Sequence, residues 1–106
     1  MNDVLDYGPL NLSNRYSAKN NLKLVAFICR APKAKDVYLA GDFNDWDPWA
    51  NHMKRQVDGA WRLEVLLSHG HHQYIFLVDG EPVLDPQAYG VARNDKNERV
   101  SLVAVS

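Results

Sequence analysis

Two Asp-Gly steps, Asp58-Gly59 and Asp79-Gly80, each stand between runs of alternating apolar residues, and they commit the chain to antiparallel hairpins. An Asp-Gly pair tolerates the positive φ that tight hairpin turns demand. After the first step, Ala60–Leu67 puts Trp61, Leu63, Val65 and Leu67 on one face. Before the second, His71–Val78 puts Tyr74, Phe76 and Val78 inward and Ile75 and Leu77 outward. A first strand is expected at Leu22–Arg30, with Val25, Phe27 and Cys29 opposite Ala26, Ile28 and Arg30. Further strands are expected at Val37–Ala40, Met53–Gln56, Glu81–Leu84 and Arg99–Val105, with Asp85 to Glu98 as a polar loop. No segment sustains a helical period, and about seven short strands separated by turn signals predict an all-β sandwich. A chain of 106 residues suits one domain. That domain is expected over 22–106, behind an arm, 1–21, that is rich in turn residues (Gly8-Pro9, Ser13-Asn14, Asn20-Asn21).

Charge and composition narrow the partners. The net charge of −1, without a basic block, argues against nucleic acid or an anionic membrane surface. The apolar runs Leu24–Cys29 and Leu63–Leu67 fall far short of the roughly 20 residues that span a bilayer. The acidic segment Met1–Pro9 lacks a basic-then-apolar signal pattern. One cysteine, Cys29, excludes an internal disulfide, and a cytoplasmic protein is expected. Cys29 lies mid-strand and reads as inert core.

Several clusters invite chemistry and are better read as structure. His71 and His72 are strand neighbours and point to opposite faces, and with His52 and His69 they offer poor zinc spacing. Asp42, Asn44, Asp45 and Asp47 miss the calcium-loop pattern because Trp46 occupies the third ligand slot. Asp42, Asp45, Glu81 and Asp85 all sit at turn signals, which is not the setting of a glycosidase carboxylate pair. There is no nucleophile–base motif and no phosphate-cradling glycine loop. No metal, no cofactor and no catalysis are expected.

The stretch Val37-Tyr-Leu-Ala-Gly-Asp-Phe-Asn-Asp-Trp-Asp-Pro48 is a strand that runs into a turn carrying a tryptophan. Trp46 is either a flat loop platform for a ligand with apolar faces, such as a sugar ring, or a lid folded over one end of the sandwich.

The order Gly41-Asp-Phe-Asn-Asp-Trp46, Met53, Asp58-Gly59-x-Trp61, Gly70-x-His72-Gln-Tyr74-x-Phe76-x-Val78-Asp-Gly80, Asp85-Pro86 resembles the glycogen-binding module of AMP-activated protein kinase β subunits. It is similar, too, to the early-set domains that precede the barrel in branching enzymes and isoamylases. The resemblance covers 22–106 and implies an immunoglobulin-like, early-set β-sandwich. It also implies a glucan site built from two tryptophans, a lysine and an asparagine-bearing loop. Trp46 matches the first tryptophan; Ile75 stands where the lysine falls and Pro82 where the second tryptophan falls. Asn94 or Asn97 matches the asparagine, so the implied carbohydrate-binding residues are Trp46, Asn94 and Asn97.

A tryptophan face covering about 100 Å² of sugar gives roughly 2.5 kcal/mol, whereas association costs at least about 4 kcal/mol. One platform therefore predicts an affinity near the millimolar level at best. Trp49 and Tyr89 have no counterpart in the pattern and read either as replacement platforms or as surface packing. Outward-facing Ile75 and Leu77, with Pro82, leave three explanations open: self-association, cover by the arm (Tyr7, Leu10, Leu12, Tyr16), or altered sugar binding. The expected function is a stand-alone, non-catalytic module for α-glucan polysaccharide, weak as a monomer. The alternative is a module that docks on an enzyme of glucan metabolism, or on a second copy, and has lost sugar affinity.

Overall fold

The computed structural model describes residues 22–106, and the expected arm, 1–21, lies outside the described residues. Eight strands follow in order among them: β1 (Lys23–Arg30), β2 (Val37–Gly41), β3 (Lys54–Arg55), β4 (Ala60–Leu67), β5 (Gly70–Val78), β6 (Glu81–Val83), β7 (Gly90–Arg93) and β8 (Arg99–Val105). A 3₁₀ turn, Asp42–Asn44, follows β2.

The strands form two antiparallel sheets that pack as the expected sandwich. One has the order β1-β4-β3, the other β2-β5-β8-β7, with β6 beside β5. β1 and β4 pair along their whole length, so that Phe27 faces Leu63 and Cys29 faces Trp61. β5 is the spine of the second sheet. Its first half, Gly70–Tyr74, pairs with β8, and its second half, Tyr74–Val78, pairs with β2.

The hairpins form where the Asp-Gly steps predict them. Asp79 and Gly80 both take positive φ, 49° and 86°, as a primed two-residue turn requires. At the other step only Gly59 does, closing a three-residue loop between Gln56 and Ala60. The Asp79 carboxylate accepts the N–H groups of Lys35 and Asp36 and so ties that hairpin to the turn before β2.

The inward faces of both sheets merge into one core containing Phe27, Leu39, Trp61, Leu67, Tyr74 and Phe76, with Leu63, Val65 and Val78 packed against it. Trp61 is buried, donates its indole N–H to Ala31 O at 3.0 Å, and carries the Arg55 guanidinium 5.6 Å from its ring. Cys29 is buried in the same core; desolvation, and then the nearby Asp85 charge, push its thiol pKa up, which keeps it unreactive. Among the described residues no helix is long and apolar enough to cross a membrane, and no group of three or more His, Cys, Asp or Glu is placed to hold a metal.

Two expectations are corrected. The segment from Asp85 to Glu98 is not all loop, because Gly90–Arg93 pairs with β8 as a fourth strand in line. Its short edge position, exposed at Val91 and Arg93, asks for little apolar patterning. Ile75 does point away from the sandwich interior, but it is only 9% exposed, because loops rise around it.

Candidate functional site

On the outward face of the second sheet lies a groove of about 910 Å³. Its floor is apolar and comes from β5, where Ile75 and Leu77 alternate with the core-facing Tyr74 and Phe76. Cross-strand pairing sets Ala40 beside Ile75 and Pro82 beside Leu77, which extends the floor to either side. Trp46 and Pro48 reach the groove from the loop after β2, and Asn94, Lys96 and Arg99 reach it from the far side.

The loop that carries Trp46 is stapled by one side chain. Asn44 accepts the Gly41 N–H through Oδ1 and donates through Nδ2 to Leu39 O and to Asn51 Oδ1. The returning chain is sewn to β2 by Leu39 N–H to Asn51 O and Met53 N–H to Val37 O, each 2.9 Å. Asp45 and Trp46 both sit at φ 58°, the left-handed region, and the Trp46 N–H closes back onto Gly41 O at 2.9 Å. A left-handed bulky residue costs about 1–2 kcal/mol. The staples hold that conformation and present a half-buried indole to the groove.

Asn94 is committed largely to its own turn. Its Oδ1 accepts the N–H groups of Lys96 and Glu98, and its Nδ2 donates to Glu98 Oε1 at 3.1 Å, which uses one of the two amide hydrogens. Asn97 takes the left-handed position of the same turn, with φ 65°; it is exposed and is not among the groove-lining residues. The structure thus brings Trp46 and Asn94 to one groove and leaves Asn97 beside it. The sequence reading missed Lys96 and Arg99, two cationic donors in the groove. The signal was the Asn94-Asp-Lys-Asn97 turn itself, which becomes informative once β7 and β8 are seen to form a hairpin.

Four acids, Asp42, Asp45, Asp95 and Glu98, outnumber these two cations, so the rim offers both donors and acceptors with an acidic balance. Asp42 is itself occupied: it accepts the Gln73 N–H at 2.9 Å and lies 3.1 Å from His72 Nδ1. An apolar floor, one aromatic plane and a mixed polar rim suit a neutral ligand with hydroxyl edges and apolar faces.

Comparison with known proteins agrees with this chemistry. Residues 26–106 match the family described as the glycogen recognition site of AMP-activated protein kinase. The 1,4-alpha-glucan branching enzyme GlgB of Lactobacillus acidophilus is 42% identical over 71 residues, covering 62% of this chain and 11% of that enzyme. GlgB of Synechococcus elongatus is 31% identical over 87 residues, covering 79% of this chain and 11% of the enzyme. GlgB 2 of Xanthomonas campestris pv. campestris is 34% identical over 83 residues, covering 74% of this chain and 11% of the enzyme. The chain therefore spans 11% of the length of each of these relatives.

Proposed function

The chain belongs to the family of the glycogen recognition site of AMP-activated protein kinase, and on that premise we propose that it is a non-catalytic module that binds glycogen or a starch-like α-glucan in the cytoplasm. The observation that carries this reading is Trp46. Its backbone is held in a costly left-handed conformation, and the effect is to aim its ring into an apolar groove. Trp46 is the stacking platform, Lys96 and the remaining amide hydrogen of Asn94 are donors to sugar hydroxyls, and Asn97 contacts the chain as it leaves the groove. Binding to one such site is weak, and the many equivalent chain ends of glycogen strengthen it when several copies act together.

Mobility in native gels containing glycogen tests the proposal. The wild-type chain is expected to be retarded, and Trp46→Ala is expected to migrate as in a glycogen-free gel while melting within about 0.5 kcal/mol of wild type, as substitutions outside a core do. A wild-type chain that is not retarded, or retention that survives Trp46→Ala, overturns the assignment.

A second reading, docking on a glucan-metabolising enzyme or on a second copy, is favoured by a different surface. Leu24 and Leu66, paired across β1 and β4, are 60% and 58% exposed, with Ile28 nearby on the same face. Light scattering distinguishes this reading: a concentration-dependent increase in mass that Leu66→Ser removes supports it.

A further inference from the structure

Beside the groove a second aromatic surface is built along the β2 edge, and the site described above does not use it. Tyr38 stands opposite Leu77 and two residues from Ala40, both of which line the groove, so its ring emerges on the groove side of the sheet. The chain returning from the Trp46 loop pairs His52 with Tyr38. This is the closer, non-hydrogen-bonded kind of antiparallel pair, and the two rings stack 4.5 Å apart at 14°. The His52 Nε2 lies 3.1 Å from Asp36 Oδ1, which fixes the imidazole from its far edge. Trp49 meets Tyr38 edge-to-face, with centroids 5.3 Å apart at 81°. Its backbone N–H is held by Asp47 Oδ1 at 2.9 Å, and Pro48, immediately before it, lines the groove.

Trp49 is nonetheless 71% exposed. A tryptophan recruited for packing would bury most of its surface, whereas this one makes a T-shaped contact with Tyr38 and leaves most of its surface open. Its carrier is restrained by a stack of rings and by an aspartate-capped turn, so little order remains to be imposed when a ligand arrives. Continuity with the groove through Pro48, Ala40 and Leu77 identifies the occupant as the same chain that crosses Trp46.

We propose that Trp49, backed by Tyr38 and His52, is a second stacking platform that lengthens the Trp46 groove and takes a further stretch of the same α-glucan. The proposal rests on the carbohydrate reading of the groove. It makes this a site for long linear stretches of glucan rather than for isolated short ends.

Maltotriose, maltoheptaose and glycogen, titrated against the wild-type chain, Trp46→Ala, Trp49→Ala and Trp49→Phe, test it. Trp49→Ala is expected to weaken maltoheptaose binding about tenfold, or ~1.4 kcal/mol, with glycogen retention reduced, maltotriose binding unchanged and the melting temperature kept. Trp49→Phe, which keeps a ring against Tyr38, is expected to retain most of the affinity. Binding that Trp46→Ala removes but Trp49→Ala leaves intact overturns the second platform and spares the first. A Trp49→Phe chain no better than Trp49→Ala also overturns it. A wild-type chain that binds none of the three glucans overturns the carbohydrate reading and this proposal with it.

Discussion

Tyr74 shows how much of this molecule is decided by a single side chain's neighbours. Its hydroxyl donates to Asp85 Oδ2 at 2.6 Å, while Asp85 also accepts the Gln87 N–H and gives its own N–H to the fully buried Ser101 Oγ. Burial, then that hydrogen bond, then the Asp85 charge drive the phenol far above its ordinary range. The unfolded chain releases this proton near about pH 10 and the folded chain does not. Stability from this residue is therefore complete below about pH 10 and falls as pH rises beyond it. Chemical denaturation at rising alkaline pH is expected to show that decline, and Tyr74→Phe, less stable at neutral pH by about 1.5–3 kcal/mol, is expected to flatten it. An equal decline in both chains would assign the effect to other groups. Tyr74 was legible as inward from its alternation with Phe76. Its partner was not, since nothing local links residues 74 and 85. Gly41 was legible only as the end of a strand. Its φ of −164° is ordinary, but an added Cβ would stand 2.5 Å from the Phe43 ring and 2.7 Å from Gln73 O. Gly41→Ala is expected to cost about 1–3 kcal/mol and to lower glycogen retention, because the Trp46 N–H is anchored on the Gly41 carbonyl. Unchanged melting would show that the neighbours yield freely.

At the scale of elements, strands announced themselves wherever a period of two was long enough to bury a face, as in β1, β4 and β5. β7 did not, because a four-residue edge strand of Gly90-Val-Ala-Arg93 needs no buried stripe. The loop after β2 was legible as a turn but not as a stapled object. That property belongs to Asn44, whose contacts reach Leu39, Gly41 and Asn51 at once. Asn44→Ala leaves three backbone or amide groups short of a partner in a half-buried site, each worth about 0.5–1.5 kcal/mol. The expected outcome is local: hydrogen exchange accelerates at the Leu39 and Met53 amides, those of β1 and β4 keep their protection, and glycogen retention drops toward that of Trp46→Ala. Uniform acceleration across both sheets would mean that the loop is part of the global folding unit.

The whole molecule assigns its two sheets different work. The second sheet carries the groove: β5 pairs with β2 on one side and β8 on the other, and this brings the Trp46 loop and the Asn94–Glu98 turn to a shared face. That long-range pairing is why Trp46 could be singled out from the sequence while Lys96 and Arg99 could not. The first sheet closes the core from behind, and Trp61 is its heaviest contribution. Because the inward faces of both sheets form one cluster, there is among the described residues no second core that could keep the groove intact if the back sheet were weakened. Trp61→Ala removes a buried ring, its hydrogen bond to Ala31 and the surface on which Arg55 rests. Truncations of this kind cost about 3–5 kcal/mol, which for a domain of this size lowers the melting temperature by more than about 10 °C. Glycogen retention should disappear along the same transition as β-sheet circular dichroism, although Trp61 lies on the sheet opposite the groove. Retention that outlasts the loss of sheet signal, or falls well before it, would show that the groove sheet holds its shape independently of the sheet behind it.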